Sequence, residues 1–452
     1  MKNPFLRLFF ATLIFLPNIA YLQDLPLEYR VGSYIIDRSP PEEYRKRRMK
    51  LMDKVGDGII VLVGRGDARG HNDGGTHSQE INFFYFTGVE IPNAVLFLFP
   101  EERNEILFLP ERNLPLERWT GPKIGIEPAA KELFGFKDIR PTHGGEIIID
   151  ARRRPVPSWK EVLRSYIDKE YTLHLILQGN ESYEHTLANS LRTEAPWLKV
   201  NNIRDYVNDL RRTKSKEELR LLQRAVDITM DAHRQLARAI RPGKHEFEIE
   251  AVAEYVFRKN GAEGPAFPSI VASGFFSTVL HYTRNTRQMK DGDVLKVDIG
   301  AKFGFYCSDL TRTYPVSGRF TPRQRELYEI VLGAQNTVLE YLRPGISIFE
   351  LRKIAFNFIN SHGADLHGNP LGQYFVHGLS HFVGLQVHDV GSEYAPLRAG
   401  DVITIEPGIY IPEEKIGIRI EDMFLVTEDG FINMSEELPR KPDEIEKLMR
   451  QR

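Results

Sequence analysis

Four acids stand out by their type and spacing. Asp298 lies in GDVLKVDIG (292–300) and Glu406 in GDVITIEPG (400–408), two stretches so alike that the acids fall at the same place, 108 residues apart. A second acid follows each, Asp309 in YCSDLTRTYPV and Glu421 in GIRIEDMFLV. Strand alternation puts Lys296 and Asp298 on the face opposite Leu295 and Val297, and Thr404 and Glu406 opposite Ile403 and Ile405. It also puts Arg419 on the side of Glu421. A pseudo-twofold would then set two carboxylate pairs face to face. Such a group repels itself unless it is protonated or bridged by cations. Oxygen-rich surroundings suit hard divalent ions such as Mn2+, and sharing points to two ions about 3.5–4 Å apart. A nitrogen ligand is available in VHGLSHFVGLQVHDVG (376–391), which holds His377, His381 and His388, and His281 precedes the first strand in VLHYTRNTR. A lone strand acid is usually a solvated or capping group. Two pairs in duplicated positions, with a histidine-rich segment between them, are hard to produce that way. His233, inside a long helical pattern, reads as a structural histidine.

The elements around these residues repeat as well. One helix ends at RPGKHEFEIE (241–250); another, opened by Thr321 with Pro322 at its first position, ends at RPGISIFELR (343–352). Each is followed by a second helix, with Phe247 and Glu248 matching Phe349 and Glu350. These stop at Gly261-Ala262 and Gly363-Ala364, before the strands that carry the acids. The C-terminal half is thus an internal duplication with a site expected between its halves. Upstream, GIIVLVG (58–64), NAVLFLFP (93–100), EILFLP (105–110) and TLHLILQ (172–178) read as strands, and EPAAKELFG (127–135) as a short helix ended by glycine. This is a smaller α/β domain. A polar stretch, 201–214, leads into a long helix opened by the capping box of Ser215 and Glu218. The domain boundary is expected there, giving domains of 30–203 and 204–452.

Composition narrows the function. A chain of 452 residues is long for one core and comfortable for two domains. Its net charge of −2 offers no basic field for nucleic acid or an anionic membrane. The one cysteine, Cys307, excludes an intramolecular disulfide and a thiolate-rich metal site, and reads as a small buried apolar residue. Lys2 and Arg7 precede the apolar run LFFATLIFL (8–16), so residues 1–20 read as a signal peptide cleaved after Ala20, although Asn18 suits such a site poorly. The competing reading is an amphipathic N-terminal arm. No later segment is apolar enough to span a bilayer.

Taken together, VDIGAKFGFYCSDLTRTYPV, HGLSHFVGLQVHDVG, EPGIY and GIRIED resemble the pita-bread metallopeptidases, specifically aminopeptidase P and prolidase. The similarity runs from about residue 204 to RKPDEIEKLM at the end, and NFFYFTGVEIPNAVLFL (82–98) resembles more weakly the creatinase-like N-terminal domain of those enzymes. The resemblance implies two metal ions and a bridging water held by Asp298, Asp309, His381, Glu406 and Glu421. Glu406 would also accept the water's proton. His281 and His388 would bind the scissile amide and stabilise the tetrahedral intermediate. His377 would line the proline pocket, Arg419 would support the ligands, Tyr410 would join the substrate contacts, and Asp298 would meet the substrate's α-amino group. The full ligand set argues against the metal-free creatine hydrolases, and the added N-terminal domain against methionine aminopeptidases. HGLSH and the compact run from EPGIY to GIRIED favour an Xaa-Pro aminopeptidase over a prolidase restricted to dipeptides. A catalytically silent binding protein of the same fold is the rival from another class. Mn2+ is the first expectation, with Co2+ or Zn2+ as alternatives, and a homo-oligomer is expected from the family. Met423 stands where an acid is common, and THSQEINFF (76–84) lacks an arginine often found before this motif, which bears on substrate contacts from the N-terminal domain.

Overall fold

A computed structural model describes residues 37, 39–65, 79–149, 152–179 and 182–451. The N-terminal leader expected at 1–20, the first residues of the N-terminal domain and Thr76–Ser78 of the THSQEINFF stretch lie outside the described residues.

In the N-terminal half, helix α1 (Pro41–Val55) and the short α2 (Ile81–Thr87) pack on a six-stranded sheet. Its strands are β1 (Ile59–Val63), β2 (Val95–Phe99), β3 (Asn104–Leu109), β4 (Ile139–Pro141), β5 (Leu173–Leu175) and β6 (Val200–Asn202), in the order β4-β3-β2-β1-β5-β6. The β1–β2 and β2–β3 pairs are antiparallel and the outer pairs parallel. Strand β2 is buried on both faces because helices or loops cover both sides, which explains its unbroken apolar run. The helix read in EPAAKELFG spans Pro128–Phe134, and Gly135 closes it in the left-handed conformation.

The polar stretch 201–214 contains a helix that its composition does not announce, α3 (Arg204–Arg212). Its apolar signal is weak because Val207 shares the buried face with two cations, Arg211 and Arg212, each neutralised by an aspartate of the C-terminal half.

From there the duplication is explicit. Helix α4 (Lys216–Ala239), with its Ser215–Glu218 capping box, is followed by α5 (Glu246–Lys259). The second copy has α6 (Pro322–Leu339), capped by Thr321 and Gln324, and α7 (Ile348–Ser361). In the first copy β7 (Ile270–Ser273), β8 (Val294–Ile299) and β9 (Leu310–Pro315) form an antiparallel sheet in that order. In the second, β10 (Val402–Ile405) pairs with β13 (Asp422–Val426), and the hairpin of β11 (Gly408–Ile411) and β12 (Ile416–Arg419) lies between them in sequence. A bridge between Thr311 and Glu421 joins the two sheets. Among the described residues no helix is long and apolar enough to cross a membrane.

Candidate functional site

The acids sit where strands start or stop. Asp298 is the fifth residue of β8, Asp309 immediately precedes β9, Glu406 follows β10, and Glu421 precedes β13. Strand ends give these side chains room to converge, while the apolar residues between them, Val297, Ile299, Ile403 and Ile405, are fully buried beneath. Ligand atoms of Asp309, His381 and Glu421 all lie within 4.8 Å of one another. His381 Nε2 is 3.3 Å from Asp309 Oδ2 and 3.5 Å from Glu406 Oε1. Asp298 is tied to the same group through Arg419, whose Nη2 donates to its Oδ2.

The electrostatics follow from crowding in a buried place. Burial first, then the charges of Asp298 and Glu406, push the Asp309 carboxyl well above the usual carboxylate range. Burial, then Asp309 and Glu406, do the same to Glu421, and burial raises Glu406 despite His381 and Arg419. Two carboxylate oxygens, Asp298 Oδ1 and Asp309 Oδ1, are buried with no hydrogen-bond partner. Buried acceptors are nearly always satisfied. Oxygens left open in a nest of carboxylates beside an imidazole are the donor set of a divalent cation site.

Around the acids, the histidines divide by environment. His377 has its imidazole pushed down to about 3, by burial first and then by Arg419, so it is neutral. Its Nδ1 faces the Gly378 carbonyl at 2.6 Å and must be the protonated nitrogen, leaving Nε2 to accept from the Tyr410 hydroxyl at 2.8 Å. Tyr410 in turn accepts from Arg419 Nη1 at 3.2 Å. The His388 ring stands edge-on to His381 with centroids 4.3 Å apart, and its basicity is lowered by burial and then by His381 and His281. His281, exposed on its loop, is therefore in the same neighbourhood. His233 is buried elsewhere, between the Tyr314 hydroxyl and the Leu310 carbonyl, and held to about 3 by burial, as befits a structural histidine. Burial drives the Cys307 thiol up to about 12, which leaves it inert. Met423 is a core residue whose sulfur accepts the Asp309 backbone N–H at 3.2 Å, so the missing acid is not a missing ligand.

Two features were not read from the sequence. Thr311, two residues beyond Asp309, donates its hydroxyl to Glu421 Oε2 at 2.6 Å and accepts from Arg419 Nε at 3.1 Å. Its place on the same strand face as Asp309 was the available signal. The other is a clamp on the His388 loop. Asp389 is held by Arg211 and by Lys214 Nζ at 3.2 Å, and Arg211 also donates to Asn82 Oδ1 at 2.8 Å. Burial alone would raise the Asp389 carboxyl, but Lys214 and Arg211 outweigh it and hold it below the usual range. Asn82 belongs to α2, so the N-terminal half braces the loop that carries His388.

Comparison with known proteins gives this arrangement its context. Residues 220–428 match the model of metallopeptidase family M24, and residues 44–151 that of the aminopeptidase P N-terminal domain. The Xaa-Pro aminopeptidases of Haemophilus influenzae and Escherichia coli are 33% and 32% identical over 439 and 450 residues, covering 91% and 90% of this chain and 97% of each relative. The chain belongs to metallopeptidase family M24. Its backbone superposes on E. coli aminopeptidase P, solved with the inhibitor Pro-Leu, with a TM-score of 0.80 at 31% identity, covering 91% of this chain and 99% of that one. The fold of this M24 member is therefore the pita-bread fold with an aminopeptidase P type of N-terminal domain, and divalent metal use follows from the family and from the Asp309–His381–Glu421 cluster.

Proposed function

We propose that this chain is a metal-dependent Xaa-Pro aminopeptidase, releasing the first residue of peptides whose second residue is proline. The observation that carries the reading is the convergence of Asp309, His381 and Glu421, with open oxygens on Asp298 and Asp309 beside them, in a chain that aligns almost end to end with Xaa-Pro aminopeptidases. The Xaa-Pro dipeptidase of Pyrococcus furiosus aligns at 36% identity over only 66% of this chain. The longer alignment, 91% of this chain with the Haemophilus influenzae enzyme, thus favours the aminopeptidase over the dipeptidase.

In this reading Asp298, Asp309, His381, Glu406 and Glu421 hold two divalent ions, Mn2+ first among them, with Co2+ or Zn2+ as alternatives. Such ions supply an activated water and a polarised carbonyl, which answers the resistance of a tertiary X–Pro amide. Glu406 accepts the water's proton. Its carboxyl lies 3.4 Å from the Thr404 hydroxyl and 3.5 Å from His381 Nε2, both suited to holding it in place. Asp298, already anchored by Arg419, meets the substrate's α-amino group. His281 and His388 hydrogen-bond the scissile amide and the oxygen on which charge develops. His377 and Tyr410, neutral and mutually hydrogen-bonded, form an uncharged wall for the proline ring.

The deciding assay compares hydrolysis of an Xaa-Pro-Xaa tripeptide with that of the matching Xaa-Pro dipeptide, with Mn2+ and after chelation. Metal-dependent turnover of the tripeptide supports the reading, turnover of the dipeptide alone favours a prolidase, and none of either favours a silent binding protein. We place the domain boundary at 203–204, assign residues 1–20 to an export signal that N-terminal sequencing of native protein would test, and assign a homo-oligomer that light scattering would test.

A further inference from the structure

We propose that Lys296 is a positioning residue that fixes the loop bearing His281. Lys296 lies on β8 two residues before Asp298, and its side chain is completely buried. Its ammonium donates to the carbonyl of Val279 at 2.7 Å and of Leu280 at 3.2 Å, the two residues immediately before His281. From there through Arg287 the chain has no helix or strand. The lysine is therefore a tie between a rigid strand and an irregular segment at the point where that segment presents its imidazole. The same ammonium lies 5.2 Å from the ring centroid of Tyr410, a favourable cation–π placement, and Tyr410 is the hydroxyl that donates to His377. Lys296 thus touches both the segment that carries His281 and the Tyr410–His377 pair.

The fold alone gives no reason for a lysine here. Burying an amine costs free energy that an aliphatic side chain at the same fully buried position would not. The duplication supplies a second, separate observation. The equivalent residue 108 positions on is Thr404, two before Glu406. Its hydroxyl accepts the backbone N–H of His381 at 3.2 Å, and its own N–H donates to the His381 carbonyl at 3.0 Å. In both halves the residue two before the acid ties down a histidine-bearing segment. A threonine suffices where that segment pairs directly with the strand; the first half spans the gap with the long stem of a lysine.

The inference rests on the reading that His281 contacts the substrate, and the test separates the two. Full-length protein loaded with Mn2+ is assayed on one Xaa-Pro-Xaa tripeptide as wild type, K296M, H281A and the double variant, with metal content measured in each. K296M should keep its metal and lose about 10–100-fold in kcat with little change in KM, the cost of a misplaced contact made in the transition state. In the H281A background the same change should have almost no further effect. If K296M is insoluble, K296Q, which keeps one donor group, takes its place and must show a kcat loss that vanishes without His281. An unimpaired K296M beside an impaired H281A overturns the lysine's role alone, as does a loss of equal size in both backgrounds. Full turnover by H281A overturns the assignment of His281 and the tie with it.

Discussion

The two copies of the duplicated unit share a framework and differ in what they hang on it. The first contributes Asp298 and Asp309; the second contributes Glu406 and Glu421, each longer by one methylene, and also His381. The copies are cross-braced rather than independent. Arg419 of the second half anchors Asp298 of the first, and Thr311 of the first half donates to Glu421 of the second. Short acids fixed by an arginine suit holding and orienting. A longer acid beside a threonine and an imidazole has the reach to hold a cation and still take a proton. On the proposed reading, equivalent positions carry unequal chemistry.

That division is broken most directly at its two central acids. Glu406→Gln keeps the size and one ligand oxygen but cannot accept a proton, so turnover with saturating Mn2+ should fall by about 10²–10⁴. Asp298→Asn should lose less at saturating metal, because its assigned work is anchoring. Losses of equal size at the two positions would erase the distinction. A Glu406→Gln protein with both ions bound and near-normal turnover would send the search for the base elsewhere.

The histidines sharpen the comparison at the next level. His381→Ala removes the nitrogen from the ligand cluster and should lower bound metal as well as turnover. His388→Ala should lower turnover by about 10²–10³-fold with metal content near normal, as loss of one oxyanion contact does. Elemental analysis of both variants decides it, and equal metal loss in the two would show that the edge-on pair acts as one ligand unit.

Much of this site was legible because its signals are local. The repeated strands, the RPG turns and the Thr321 and Ser215 caps are short patterns, and alternation alone placed Lys296 with Asp298 and Thr404 with Glu406. What was not legible depends on contacts between distant parts of the chain. Helix α3 gives a weak signal because two of its three buried residues are arginines, and a periodicity of apolar residues cannot reveal a buried cation whose partner lies far off at Asp389 or Asp401. Nor does the stretch around Asn82 announce that it braces Arg211.

This brace yields a smaller prediction that compares the two domains. Arg211→Gln should loosen the His388 loop while Lys214 still neutralises Asp389, and turnover should fall by about tenfold with metal content unchanged. Combined with His388→Ala it should add little. A full additional loss in that background would mean that Arg211 serves stability rather than the histidine.

The smallest expected effect is on stability against pH, and here site and brace pull in opposite directions. In metal-free protein the folded Asp309 and Glu421 carboxyls are raised, by burial first and then by their acidic neighbours, so the folded state keeps protons that the unfolded chain gives up at about pH 4. Their contribution is fully present below that pH and is lost as pH rises through the folded values. Asp389 is depressed, so its contribution is present above about pH 4 and lost only as pH falls further. Between about pH 5 and 8 the buried histidines His233 and His377, held to about 3 by burial, run against the acids, because the unfolded chain takes up their protons as pH falls. The acids' share is therefore read by comparing chelated wild type with Asp309→Asn, and the wild type should lose melting temperature relative to the variant as pH rises. Cations displace those protons, so Mn2+ should remove the acids' share of the pH dependence and add about 2.7 kcal/mol at a hundredfold excess over Kd. Parallel chelated profiles for wild type and Asp309→Asn would mean that Asp309 is already ionised without metal, and that Arg419 and the histidines compensate it.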